Sequence, residues 1–449
     1  MVKKGSTMNR TFKTAMGLVA VAAMSVTTLA ACGSNSGSSD NGKGSVYFLN
    51  FKPEVADQWT ALAKEYTKET GVNVQVQSAA SGTYETQLKS ELAKSNPPTI
   101  FQVNGPVGLA SWKDYAADMS NTEIYKDLND QSMALKDGDK IAGVPYVIES
   151  YGIIYNKDLL NKYIATPGAK VKSIDEINSF DKLKEVSDDI QAKKAELGVE
   201  GAFTSAGFDS SSDWRFKTHL ANIPLYYQFK KDNITSEPSS IKDMYTKNFK
   251  NIFDLYITDS TTDRTQLSAK TGDDATAEFA QGKAVFYQNG TWAWSDLEKA
   301  GMKADSLGMM PIYIGVDDAN EGLATGSENY LCINDKASDA DKKASEEFLK
   351  WVFTSDKGKE AISQNMGFRT PFKSFNDVKS ENPLVQAADA NLQAGKTQVA
   401  WDFSMMPSET YKNDLGQAML AYAQGTGDWN QVVDMYVNNW AIQYKAAHE

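Results

Sequence analysis

The period of the apolar positions changes several times along the chain, and each change predicts an element. "SVYFLNF" is β-branched and aromatic and reads as a strand ending near Asn50. In "PEVADQWTALAKEYTKETG" the residues Val55, Trp59, Leu62, Ala63 and Tyr66 recur at helical spacing, and Gly71 ends the helix. "VNVQVQSA" then alternates with period two, which makes a β-α-β unit with parallel strands and a right-handed crossover. Tyr84, Leu88 and Leu92 mark a second helix, and "PPTIFQVN" is a third strand ending near Asn104. The beginning of the fold is therefore α/β, with polar residues at the carboxyl ends of its strands, where open sheets bind ligands.

Further on, "GVPYVIESYGIIYNKDLL", Gly143 to Leu160, is a long apolar run with Glu149 and Ser150 in its middle, long enough to pass from one lobe into another. "SFDKLKEVSDDIQAKKAELG" reads as helix and "GAFTS" as a short strand, followed by a serine-rich loop bearing Asp213, Trp214 and Arg215. "DDATAEFAQGKAVFYQNG" returns through helix, turn and strand. From Ala337 onward the pattern is mostly helical, with "ASEEFLKWVFTS" and "NDLGQAMLAYAQG" as the clearest amphipathic pieces.

The front of the chain follows a different logic. Lys3, Lys4, Arg10 and Lys13 precede a run of mostly small, apolar residues from Ala15 to Ala31, which reads as a secretory signal peptide. Leu29-Ala30-Ala31-Cys32 resembles a bacterial lipobox, whose cysteine is diacylated and becomes the mature N-terminus; the alternative is an ordinary signal peptide with a chance cysteine. Acyl chains on Cys32 would hold the protein at the outer face of the cell membrane. Gly33 to Gly44 reads as a tether reaching roughly 20 Å as a Gly/Ser coil.

Charge and rare residues narrow the chemistry. Residues 1–31 carry four of the 46 basic and none of the 58 acidic residues, so the remainder has a formal charge of −16. That balance argues against a nucleic-acid partner, which needs a basic face. It leaves a cationic ligand open. Besides Cys32 the only cysteine is Cys332, and the only histidines are His219 and His448, which argues against a zinc site or a nucleophilic triad. His219 reads as a surface or core residue. Neither metal nor cofactor is expected, and a pair of carboxylates remains the one catalytic arrangement left open.

"AVFYQNGTWAWSDL" carries the most specific chemistry. Lys283 to Gln288 reads as a strand, Asn289-Gly290 as a turn and Thr291 as the start of a helix. On a helix Trp292 and Trp294 stand about 200° apart, so one can enter the core while the other stands at the mouth of a cleft. An indole with a polar N–H suits a ligand with an apolar face and a hydroxylated edge, such as a pyranose. The bland alternative is that both are packing residues.

The segment "AEFAQGKAVFYQNGTWAWSDL" resembles the corresponding part of bacterial extracellular solute-binding proteins of the maltose-binding-protein type, with Phe279, Gly282, Lys283, Asn289, Gly290 and Trp292 in the family's places. "VPYVIESYGIIYNKDLL" is similar to the family's first interlobe crossing, ending in Tyr155, Asn156 and Lys157, and "KASEEFLKWVFTSDKGKEAISQNMGFRTPFKS" to its helix followed by Gly-x-x-Pro. The resemblance implies an α/β, two-lobed periplasmic-binding-protein fold with a hinge and an interlobe cleft. It implies an oligosaccharide ligand handed to an ABC permease, no catalysis, and a monomer. On this frame residues 1–31 are signal peptide, 32–44 a lipid-anchored linker, 45–150 and 151–288 the first parts of lobes 1 and 2, 289–336 a return to lobe 1 with the hinge, and 337–449 mostly lobe 2.

Matched to the family's stacking tryptophan, Trp292 is the leading ligand contact; Glu149 falls at a polar cleft position, and Gly326, Ser327 and Glu328 resemble the loop re-entering through the hinge. Position alone adds Asn50 and Lys52 after the first strand, Gln102 and Asn104 at the end of the third, Trp214 and Arg215 on a second-lobe loop, and Trp401 with Asp402 at the start of a helix. Amide and carboxylate groups match vicinal hydroxyls, although each of these could instead be a solvated loop residue or a helix cap. Three rivals stay open: a receptor for a cationic ligand or peptide, a secreted carbohydrate-active enzyme using a pair such as Glu149 and Asp402, and an adhesin without a hinge.

Overall fold

The structure is a computed structural model that describes residues 42–80 and 82–449. The signal peptide, Cys32 and all but the last residues of the tether lie outside the described residues. Within them no helix is long and apolar enough to cross a membrane.

Strand β1 (Ser45–Asn50) passes into helix α1 (Ala56–Thr70), β2 (Asn73–Ser78), helix α2 (Tyr84–Leu92), β3 (Ile100–Asn104) and helix α3 (Gly105–Trp112). Both β2 and β3 pair with β1 in parallel, the first as the β-α-β reading predicts. Side chains of β1 alternate between the two faces: Val46 and Phe48 meet Trp59, Leu62 and Tyr66 of α1, while Leu49 meets Tyr84 and Leu88 of α2. Helix and strand periods thus place one apolar stripe against one sheet face each. Strands β4 (Leu135–Asp137) and β5 (Lys140–Pro145) complete the sheet's edge.

The chain then enters a second sheet through β6 (Glu149–Asn156), which pairs with β8 (Ala284–Gly290) and β9 (Leu307–Met310). Strand β7 (Gly201–Phe203) lies beside β8 in parallel, and β10 (Glu321–Gly326) lies between β6 and β12 (Thr397–Ala400). Strand β11 (Asn329–Ile333) returns to the first sheet, between β3 and β5. Each sheet has its own apolar clusters, so the molecule has two lobes.

The chain passes between lobes at Tyr146–Ile148, at Ser327–Glu328, and between Phe375, which packs in the first lobe, and Leu384, which packs in the second. The long run around Glu149 is therefore two strands, one in each lobe. Two domain boundaries are corrected. Within 289–336, β9 and β10 stay with the second sheet and only β11 joins the first. The helix Asp339–Thr354, read as second lobe, lays Phe348, Leu349 and Val352 in the cluster containing Phe48. Its apolar stripe fits either sheet, so periodicity reveals that it packs but not where.

Asn289-Gly290 is a third correction. Strand β8 runs through both residues, with Gly290 extended at φ −104°, and no hairpin turn forms. Glycine is there for room: a Cβ at Gly290 would sit 2.0 Å from the ring of Trp292. The short-helix geometry beyond it does separate the tryptophans as expected, with Trp294 buried in a core cluster and Trp292 half-buried.

Candidate functional site

Trp292 is brought out at the end of β8, and the segment Arg215–Leu220 supplies the wall beside it. That segment is a π-helix, a form that recurs at functional sites because its wider turn re-aims side chains. The ring of Trp292 lies 6.0 Å from Tyr151 in a stacked arrangement, 5.7 Å from Trp214, 5.5 Å from His219 and 6.5 Å from Trp401. Tyr151 in turn stacks on His219 at 4.5 Å, and Phe403 packs 5.3 Å from Trp401. Burial, followed by the charges of Arg215, Lys412 and Lys52, holds His219 down to about 3, so the imidazole is neutral at physiological pH. It acts as another flat ring rather than as a base.

The first lobe closes over this aromatic surface. Lys52 places its Nζ 5.8 Å above the Trp292 ring and 2.8 Å from the Glu149 carboxylate, with Glu54 at 3.5 Å. Burial works against the Lys52 ammonium, but Glu149 and Glu54 outweigh it and hold its pKa above the ordinary lysine value. Ser295 Oγ and Lys299 Nζ both donate to the Glu54 carbonyl, at 3.0 and 2.9 Å, and Gly105 at the start of α3 approaches Ser404. The lobes are closed on one another.

The crossing between β10 and β11 forms the floor. Gly326 pairs with Glu149 across the strands, and a Cβ on it would lie 2.8 Å from Trp401. Asn104 and Asn329 are opposed residues of β3 and β11. Their Oδ1 atoms, Ser327 Oγ and Trp401 Nε1 are all buried without a hydrogen-bond partner among the described residues. With His219 Nδ1, also buried and partnerless among the described residues, that makes five such orphans in one place, which is unusual because buried polar groups are nearly always paired. Half-buried Glu328 follows Ser327; burial pushes its carboxyl up to about 7, against the pull of Lys412, and pushes Asp402, next to Trp401 in the chain, up to about 6.

Of the residues expected from sequence, Lys52, Asn104, Glu149, Trp214, Trp292, Gly326, Ser327, Glu328 and Trp401 converge on this cleft, whereas the carboxyl of Asp402 lies toward Tyr226 and Tyr436. Three are used differently. The Asn50 amide donates to the Lys52 carbonyl at 2.7 Å and to Ser78 Oγ at 2.8 Å, and Gln102 accepts from Phe51 N and donates to Tyr146 Oη at 2.8 Å. Both are fully buried and brace the loop carrying Lys52. Arg215 is buried beneath Trp214, its guanidinium 4.2 Å from that ring, donating to Ser212 O and Tyr287 Oη. It supports the wall.

Tyr151, His219, Phe403 and Asn329 were missed. Tyr151 carried a usable signal, since it lies two residues beyond Glu149 on a strand and so shares its face. Asn329 follows Glu328 directly. His219 and Phe403 join the site only through the packing of distant segments, which no local pattern encodes.

Residues 61–393 match the family model described as bacterial extracellular solute-binding protein. The multiple sugar-binding protein of Streptococcus mutans is 23% identical over 351 residues, spanning 76% of this chain and 78% of that one. Among solved structures, the solute-binding protein RafE in complex with raffinose is similar at a TM-score of 0.69 with 17% identity, covering 89% of this chain and 99% of RafE. A chitin oligosaccharide binding protein is similar at a TM-score of 0.67 with 18% identity, covering 90% and 99%. With the family model spanning most of its length, and with the two-lobed fold those structures share, this chain belongs to the bacterial extracellular solute-binding proteins.

Proposed function

We propose that this protein captures an oligosaccharide between its lobes without altering it, and presents it to an ABC permease. Acyl chains on Cys32 would tether it to the outer face of the cell membrane through the Gly/Ser linker. The observation that carries the reading is the pairing of an aromatic surface with orphaned polar atoms. Trp292, Trp214 and Trp401 offer ring faces, while Asn104, Ser327 and Asn329 offer buried oxygens with no partner. A pyranose presents an apolar face and a hydroxylated rim together, and so meets both needs. The sugar-binding names among the relatives point the same way.

Closure stores the ligand because the two lobes contribute different contacts. Trp292, Trp214 and Trp401 belong to the second lobe, and Asn104 and Lys52 to the first. A ligand touching both favours the closed form by its differential affinity, which is the sole means by which binding can shift such an equilibrium. A carboxylate-pair enzyme is disfavoured because Lys52 holds Glu149 at 2.8 Å, which ties up one member of the Glu149 and Asp402 pair.

A melting screen of the full chain against neutral oligosaccharides, polyamines and short peptides tests this. A ligand that binds only the folded state raises Tm, by about 2.7 kcal/mol of added stability at a hundred times its Kd. The expected result is a rise with one class of oligosaccharide. A rise with peptides alone would overturn the reading.

A further inference from the structure

The floor of the cleft is rich in acceptors and short of positive charge. Asn104 Oδ1, Asn329 Oδ1 and Ser327 Oγ are buried without partners, and the carboxyl of Glu328, the residue between Ser327 and Asn329 in the chain, makes no hydrogen bond or ion pair with any described residue. The two nearby ammonium groups are already engaged. Lys52 is held by Glu149 at 2.8 Å and Glu54 at 3.5 Å, and Lys412 by Glu409 at 2.7 Å. Four carboxyl groups, Glu54, Glu149, Glu328 and Glu409, therefore surround two lysines. The imidazole of His219 adds no charge, being neutral.

A sugar hydroxyl could supply a donor to one of these oxygens, but it cannot balance the Glu328 carboxylate once that group ionises. An ammonium supplies three donors and a positive charge at one point. Its hydrogen bonds to a carboxylate are of the charge-assisted kind, about twice as strong as neutral ones. We propose that the crossing at Ser327, Glu328 and Asn329, with Asn104, takes the ammonium group of an amino sugar, so that the cargo is an oligosaccharide carrying at least one unacetylated amino group. This rests on the oligosaccharide reading above and narrows it. Burial is what holds the Glu328 carboxyl up to about 7, and a bound ammonium draws it down again. Binding of such a ligand near neutral pH therefore expels a proton.

The test is calorimetric titration of the full chain at pH 6.5 with length-matched oligosaccharides of glucosamine, N-acetylglucosamine and glucose, each in two buffers of different ionisation enthalpy. The glucosamine ligand is expected to bind about tenfold more tightly than the other two, the size of one charge-assisted contact. Its heat should differ between buffers, reporting proton release, and that of the glucose ligand should not. Glu328→Gln should bring the amine-to-hydroxyl affinity ratio close to one. Should that variant not fold, the affinity ratio of the amine to the acetylated ligand in the wild-type chain, read beside the proton exchange, decides the matter. Equal affinity for the amine and acetylated ligands would overturn the amino-sugar proposal while leaving oligosaccharide capture intact, as would binding of some neutral oligosaccharide but none of these three. Failure to bind any oligosaccharide would overturn the parent reading itself.

Discussion

Lys52→Met is expected to lower the stability of the folded chain by about 3–5 kcal/mol at pH 8, the usual cost of removing one partner from a buried ion pair. Lys52 and Glu149 have side chains only 5% exposed, and their 2.8 Å contact joins the loop after β1 to the first residue of β6, at an interlobe crossing. Methionine fills much of the same volume, so lost packing adds little. What remains is a carboxylate with no counter-charge. Burial is the largest influence on Glu149 and raises its pKa, with Lys52 as the principal opposing influence.

The pH dependence follows from that. In the variant the folded-state pKa of Glu149 lies above its unfolded value, so the folded form binds the extra proton. Its contribution is favourable below the unfolded pKa and is lost as pH rises through the folded one. Urea unfolding should therefore show a smaller deficit at pH 5 than at pH 8. The double variant Lys52→Met with Glu149→Leu should recover most of the loss, as apolar replacements of buried ion pairs often do. A single variant as stable as the parent at pH 8 would mean that the pair is not buried in solution.

Trp292→Ala is expected to weaken oligosaccharide binding by about 1–3 kcal/mol, roughly 5- to 150-fold in Kd, because an aromatic anchor at the centre of an interface is removed. A tryptophan at the mouth of a cleft would be expected to cost the fold little when removed. The structure adds a cost in stability, since the indole touches Tyr151, Trp214, His219 and Trp401. Trp292→Phe separates the two effects: it keeps a ring for the cluster and for the sugar face, and should retain much of both. Titration beside thermal melting resolves them, and unchanged affinity in Trp292→Ala would remove Trp292 from the site.

How much could be read from the chain differs between element and assembly. The β1-α1-β2 unit was legible because its periods switch cleanly from two to 3.6 and back, with Gly71 between. The separation of Trp292 from Trp294 was legible because it depends on helical geometry over three residues. By contrast, Asn289-Gly290 misled, since a dipeptide that favours turns is here selected for the space it leaves beside an indole. The helix Asp339–Thr354 was visible as amphipathic, while its docking on β1 was not. Strands β4, β9, β10 and β12 are short or embedded in mixed polarity, and their pairing is settled by distant partners.

The site divides in the same way. Glu149, Trp292 and the segment Gly326 to Glu328 were singled out through motifs that are local in sequence. Asn50 and Gln102 were chosen for their strand-end positions, and the structure spends their amides on bracing the loop that carries Lys52. Strand-end position places a residue near the cleft, whereas hydrogen bonding decides whether it has anything left to offer a ligand. His219 and Phe403 entered the aromatic cluster from two segments far apart in the chain, and only three-dimensional packing unites them.

The most direct measurement is a crystal structure of the chain with the oligosaccharide that gives the largest rise in Tm. The account predicts a closed cleft with a sugar ring laid against Trp292 and polar groups of the ligand within hydrogen-bond reach of Asn104, Ser327, Asn329 and Trp401 Nε1. A ligand bound away from the interlobe cleft, or one held in it without contact to Trp292 or the β10–β11 crossing, would contradict it.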